Sequence, residues 1–452
     1  MKTRSTGAGG VALLVLLLTA RAGPGSQNPG EGSEAFARCL RDRAAPLETV
    51  EPGAGLQDLE ALRHVIGDAS IVCLGESQHL MREQYQLKHR IVRFLVEKMG
   101  FTHLAIEDSL YGTIAIDDHI KGDDTTAEDV LRGTAGWYLW DTEEMLDLVR
   151  WLRAHNERMP DGRKVSYVGL DIQDPRPGYG SLLEYFRRVD PDYAVSLSAR
   201  KAVFEVFDKP FWGQVRAAYP GLGANGKQAI ADTLKEAANR LEARRSGYVK
   251  AAGDKAHRDA VLVAAHMLKS HNHFLELEQD DDGVVGVREK AMFENIVRIK
   301  GTAGPRARII VWVHNAHAAK SPVRFLNRGS SEGARLELLG TMLERTYGPE
   351  VKSIGMASLG LAQPDGTFEP APDTLDHVLA GTGPDLFFLD LAGMKASDGP
   401  GAELGRSWKL TADFGAYLSL VPADAFDGLV FIKHVTEVRR SPEAARRFKG
   451  LF

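Results

Sequence analysis

Five residues able to move protons stand at short spacings in this chain: Glu76 with His79, Glu107 alone, and His314 with His317. An imidazole with a free pKa near ~6.5 accepts a proton from water at neutral pH, and a neighbouring carboxylate fixes its tautomer and stabilises the cation. Two carboxylates and three imidazoles therefore suit general acid–base catalysis, and they equally suit a divalent metal such as Zn or Mn. Both readings stay open on the residues alone. Zinc peptidase chemistry of the H-E-x-x-H kind is excluded, because no such string occurs. Gly75-Glu76-Ser77-Gln78-His79 approaches the G-x-S-x-G turn of serine hydrolases. His79, however, stands where the second glycine must let a tight turn close, so Ser77 is disfavoured as a nucleophile. If a carbonyl is attacked, His314 or His317 could donate to the oxyanion that develops.

Each of these groups follows a short apolar run. Ser70–Leu74 precedes Glu76, His103–Ile106 precedes Glu107 and Asp108, Val165–Leu170 precedes Asp171, and Arg308–Val313 precedes His314. Helical stretches lie between the runs, from about Arg82 to Met99, Thr142 to Asn156 and Val287 to Lys300. Further strands are expected at Val351–Ser358, Leu386–Leu391 and Gly428–His434. Buried strands separated by helices predict an α/β fold with a largely parallel central sheet flanked by helices. All carboxyl ends of such a sheet share one edge, where open α/β folds bind ligands. Between about Pro175 and Gly286 strand signals vanish, and long helical segments appear at Gly226–Arg244 and Lys255–Glu278. Residues 176–286 thus read as a helical insertion between two parts of one catalytic domain, 56–175 and 287–452. His266, His271 and His273 fall inside it and are taken as surface or packing residues. Trp137, Tyr138 and Trp140 crowd one segment. They would offer apolar area to a bulky ligand, or pack the next helix on the sheet.

Lys2 and Arg4, the apolar run Val11–Ala20 and the small-residue site Ala20-Arg21-Ala22 read as a signal peptide over residues 1–22. A secreted or periplasmic protein beginning near Gly23 is expected, with residues 23–55 as leader and linker. The run is short for a ~30 Å hydrocarbon core, so no permanent membrane anchor is expected. With 56 basic against 61 acidic residues there is no positive field for a phosphate backbone, and no nucleic acid is expected as partner. Two cysteines, Cys39 and Cys73, make no disulfide framework, and Cys73 reads as a small buried apolar residue.

Gly75-Glu76-Ser77-Gln78-His79 resembles the G-E-x-x-H signature of the erythromycin esterase family. The resemblance continues through Arg90–Phe101, Ala105-Ile106-Glu107, Trp151-Leu152-Arg153 and Asn156. It returns at Arg288, Met292 and Asn295, at Trp312 to His317, and at Gly340 to Tyr347, spanning about residues 56 to 435 in order. It implies hydrolysis of a macrolactone or other small-molecule ester, without a serine nucleophile, an obligatory metal or a cofactor. His79 then looks like the base that activates water, Glu76 and Glu107 like the carboxylates that orient it, and His314 and His317 like imidazoles on the opposite wall. Lys88, Asp171, Arg288 and the aromatic trio form the expected substrate-binding set. Lys88, with Arg90 close by, stands where the family carries an arginine, and Lys does not replace a bidentate Arg like for like. Macrolide resistance is one role this implies. Two readings compete: a metal-dependent hydrolase using the same Glu and His ligands, and a non-catalytic haem- or metal-binding module. The oligomeric state is left open.

Overall fold

All four side chains of Ile71–Leu74 are buried, so this strand must be covered on both faces. Strand alternation sends Val72 and Leu74 into one core and Ile71 and Cys73 into the other. Ile309–Trp312 divides in the same way, with Ile310 and Trp312 on the first side and Ile309 and Val311 on the second. The computed structural model describes residues 31–134, 138–209, 211–279, 286–326, 333–363, 366–368, 371–395, 399–412 and 416–449. The expected signal peptide and Trp137 lie outside the described residues.

The strands in chain order are β1 (Ala45–Pro46), β2 (Ile71–Leu74), β3 (His103–Ser109), β4 (Ser166–Asp171) and β5 (Ile309–Trp312). They continue with β6 (Val323–Leu326), β7 (Arg335–Leu336), β8 (Val351–Gln363) and β9 (Gly366–Phe368). The last are β10 (Leu386–Asp390), β11 (Trp408–Thr411), β12 (Tyr417–Leu420) and β13 (Gly428–Val435). The main sheet runs β1-β10-β13-β8-β2-β5-β3-β4, with β9 beside β8. The six strands from β13 to β4 are mutually parallel, and β10, β1 and β9 join antiparallel. The expected α/β fold is therefore present, and the seven apolar runs read from the sequence all lie in this sheet. The chain passes from β2 out to β3 and β4, returns to insert β5 between β2 and β3, and then moves to β8 and β13 on the other side. In open α/β sheets such a reversal marks the ligand crevice, which here falls at the carboxyl ends of β2, β5 and β3.

Helix Arg82–Met99 leaves β2 and ends at Gly100 in the left-handed region, φ 73°, which a residue without Cβ adopts freely. Every described element between β4 and β5 is helical, including Arg176–Val189, Gly223–Ala243 and Asp254–Gln279. These helices enclose their own core around Tyr179, Phe186, Phe204, Tyr219 and Phe274.

The segment read as leader and linker is partly folded. Glu31–Arg43 is a helix, its Phe36 and Leu40 are buried one turn apart in the second core, and β1 extends the sheet beside β10. Apolar spacing of i, i+4 is the signature of a helix laid on a core, and it begins where the Gly- and Pro-rich stretch stops. A separate four-stranded antiparallel sheet, β11-β12-β6-β7, was not expected from the sequence. His266, His271 and His273 are all buried rather than on the surface. Cys39 and Cys73 are free and buried, and burial pushes the Cys73 thiol up to about 12. Among the described residues no helix is long and apolar enough to cross a membrane.

Candidate active site

The pairing of β3 with β4 slips where the chemistry begins. Ile106 faces Gly169 and Ser109 faces Asp171, so Glu107 and Asp108 together oppose one residue. Such a bulge re-aims side chains at a sheet edge. Gly169 permits it, because a Cβ there would lie 2.5 Å from the Ser109 carbonyl oxygen and 2.7 Å from that of Asp108. Glu107 turns into the crevice. Asp108 is fully buried, accepts from the Ser109 N–H at 2.7 Å, and burial lifts its carboxyl well above the usual range.

Beyond β2 the chain presents Glu76 and then His79. His79 Nδ1 lies 2.7 Å from Glu76 Oε1, and a carboxylate only accepts, so Nδ1 carries the proton. The other ring nitrogen, Nε2, lies 3.9 Å from Glu107 Oε1. Leu80 follows at φ 64°, the only non-glycine with positive φ among the described residues. This strained position turns the chain from His79 into the helix that carries Lys88. The Lys88 ammonium is fully buried on Glu76 Oε2, donates to the Val313 carbonyl at 3.1 Å, and lies 4.7 Å from the Trp312 ring centre. Burial pushes it down to about 8 against the pull of Glu76. Burial also works to raise the Glu76 carboxyl, but Lys88 and His79 outweigh it and hold it below its ordinary value. Lys88 is thus spent on Glu76 rather than presented to a substrate. Arg90, also fully buried, donates to Asp58 Oδ2 and the Thr49 carbonyl, each at 2.8 Å.

A second carboxylate–cation pair supports Glu107. Arg288 donates to Glu107 Oε1 at 2.6 Å and grips Asp171 through Nε at 3.0 Å and Nη2 at 2.7 Å. Asp171 also accepts from the backbone of Ile172 and Gln173, so it is a fully buried clamp. Burial works to raise Glu107, yet His317, Arg288 and His79 hold its carboxyl well below the usual range. A carboxylate so stabilised is a poor base, which leaves the base role to an imidazole.

The other two histidines differ from His79. His314 caps the short helix Asn315–Ala318: its Nδ1 accepts from the Ala316 N–H at 3.2 Å and its Nε2 lies 2.9 Å from the Ser77 carbonyl. Its own N–H donates to Glu107 Oε2 at 2.8 Å. Both ring nitrogens therefore serve the main chain, and His314 supports the wall rather than offering a free donor to an oxyanion. His317 is held from behind by Glu289, whose carboxylate lies 2.9 Å from Nδ1 and also accepts from the Leu339 N–H. Its Nε2 lies 3.3 Å from Glu107 Oε1 and 3.1 Å from Arg288 Nη1. Burial and the neighbouring Arg288 oppose the charge, but Glu289 and Glu107 push this imidazole up to about 10. Glu289 was missed by the sequence reading, although it adjoins Arg288 on a helix already marked by Met292 and Asn295.

Trp140 is fully buried, donates from its indole to the Glu107 carbonyl at 3.0 Å, and meets His79 edge-on at 6.5 Å. Tyr138 packs its ring against Phe211 at 5.3 Å. Both rings brace the site from within the core instead of presenting a free face. Ser77 is fully buried, and its hydroxyl accepts from Gln84 at 2.7 Å. Each site carboxylate already carries a protein cation. Among the described residues no group of three or more His, Cys, Asp or Glu is arranged to hold a metal.

The erythromycin esterase family profile matches residues 96–435. The chain belongs to the erythromycin esterase family. It is 25% identical over 337 residues to erythromycin esterase type II of Escherichia coli, covering 72% of this chain and 77% of that protein. A crystal structure of a Bacillus cereus protein superposes with a TM-score of 0.73 at 24% identity, covering 90% of this chain and 99% of that one. An open-conformation structure of a mutant of the erythromycin esterase EreC gives a TM-score of 0.65 at 16% identity, over 86% and 97% of the two chains. The family's profile ends at Val435, the last residue of β13, so it takes in β5, the crevice strand that follows the helical segment.

Proposed function

We propose that this chain is a hydrolase that cleaves a carboxylic ester or lactone of a small molecule, with His79 as the base that activates water. One observation carries the reading: His79 is oriented by Glu76 at 2.7 Å and is 16% exposed, whereas the side chains of Glu76 and Glu107 are 0% and 2% exposed. Water at Nε2 attacks the carbonyl carbon as its proton passes to His79, and Glu76 stabilises the imidazolium. The His317 imidazolium, backed by Glu289, donates to the developing oxyanion. On collapse the His79 proton passes to the departing alkoxide, and both ends of the cleaved bond leave as acid and alcohol. Similarity to macrolide esterases at 25% identity makes a macrolactone the first substrate to try, and macrolide resistance the role that would follow from it.

The test is a panel of macrolides and simple lactones incubated with the mature protein and followed by mass, with and without chelator. Gain of one water, unchanged by chelator, is the expected result. Activity lost in chelator and restored by Zn or Mn would instead favour a metal-dependent hydrolase. Inertness towards every ester would favour a binding module. We also propose export with cleavage after Ala22. Amino-terminal sequencing of protein from fractionated cells tests this, and an intact Met1 in the cytoplasm would refute it.

A further inference from the structure

We propose that the helical segment between β4 and β5 carries a second small-molecule site, built for an apolar chain with an anionic head. A cavity of about 360 Å³ lies there, walled by Leu183, Phe204, Phe207 and Met267, all buried. Protein interiors leave few voids larger than a water molecule, and this volume falls in the range of ligand pockets. Its walls are held in place. Tyr179 stacks on Phe204 with ring centres 4.2 Å apart and donates its hydroxyl to the Leu197 carbonyl.

The polar side of the cavity is cationic. Arg176, Arg187 and Lys201 line it, against the single lining carboxylate of Asp208. Arg176 is already gripped by Asp174 at 2.6 Å, and Arg187 makes an exposed contact with Glu184 at 3.3 Å. Lys201 makes no ion pair among the described residues. A neutral polar ligand would forfeit its hydrogen bonds against Leu, Phe and Met. An alkyl carboxylate meets both sides, its chain on the apolar wall and its head at Lys201 and Arg187. Nothing in the ester chemistry at His79 uses this cavity, so the inference stands or falls apart from the proposed function.

The experiment is calorimetric titration of the whole protein with hexanoate, octanoate and decanoate below their micelle concentrations, with decanol as the uncharged control. Burying each methylene should tighten binding about fourfold until the chain fills the cavity. Lys201→Glu, at an exposed position, should weaken decanoate by roughly tenfold or more, the loss of a charge-assisted contact, while leaving decanol unchanged. Leu183→Trp should weaken both by filling the cavity. Absence of saturable decanoate binding would overturn the proposal. So would equal affinity for decanol and decanoate together with an unaffected Lys201→Glu variant. Binding of decanoate that competes with a hydrolysed ester would place it in the catalytic crevice and overturn the proposal as well.

Discussion

His79, His314 and His317 share a crevice but not an environment. His79 has one nitrogen on Glu76 and the other 3.9 Å from Glu107, His314 has both on the main chain, and His317 sits between two carboxylates. Partners, not residue type, separate base from wall from cation. The assignment of charge to His317 has a consequence for stability. Its pKa is raised from 6.5 to about 10, so its contribution is fully present below 6.5 and is lost as pH rises through about 10. The difference in urea midpoint between wild type and His317→Gln should therefore be largest near ~pH 6 and shrink steadily toward ~pH 10. A difference independent of pH would mean a neutral His317. Glu289→Gln should lower the ester turnover roughly tenfold or more, by weakening the same cation where the oxyanion forms. Kinetics on any hydrolysed ester would show it, and unchanged turnover would remove His317 from that role. Glu76, Glu107, His314 and His317 were legible in the sequence because each follows an apolar strand. Glu289 was not, since it lies inside a helix and reaches the site only through packing. Nor was the burial of Lys88 on Glu76: the resemblance reads Lys88 as a substrate contact, and its pairing with Glu76 arises only when the helix packs behind β2.

At the scale of elements, the bulge in β3 is what brings Glu107 under His79 and Arg288. Gly169→Ala should push the main chain of Asp108 and Ser109 away from β4 and displace Glu107. Overpacking of this kind costs about 1–3 kcal/mol, and turnover should fall with it. Gly247→Ala is the control: it lies in helix Arg245–Ala252, its new methyl would meet nothing within 4 Å, and it should stabilise by about 0.5–1 kcal/mol. Urea denaturation with activity on both proteins decides this, and a Gly169→Ala enzyme of normal stability and rate would contradict the role of the bulge. Seven of the nine strands of the main sheet were readable because strands buried on both faces leave unbroken apolar runs. β6 and β12 were not. β6 is buried only at its two ends, and β12 alternates buried with half-buried positions over four residues, so neither leaves a continuous run.

Across the whole molecule, several histidines are buried without charge. Burial pushes His89 and His266 down to about 3 and His273 to about 4. A base whose folded pKa is depressed binds protons more readily in the unfolded chain, so each costs stability as pH falls from about 6.5 toward its folded value. His89 is 4% exposed and neither ring nitrogen has a hydrogen-bond partner among the described residues. His89→Leu should therefore resist acid better than wild type, with a stability gap that widens as pH drops below about 6.5. Parallel pH profiles of the two proteins would show that His89 is not held neutral.

The central claim is that His79, oriented by Glu76, takes the proton of the attacking water. Its most direct test is turnover at saturating substrate of wild type, Ser77→Ala and His79→Ala on one hydrolysed ester, with circular dichroism to confirm that each is folded. Loss of a positioned base lowers the rate by ~10²–10⁴-fold, so His79→Ala should fall by that amount while Ser77→Ala keeps most activity. A folded His79→Ala enzyme turning over at the wild-type rate, or a burst of acyl-enzyme that vanishes with Ser77, would contradict the account.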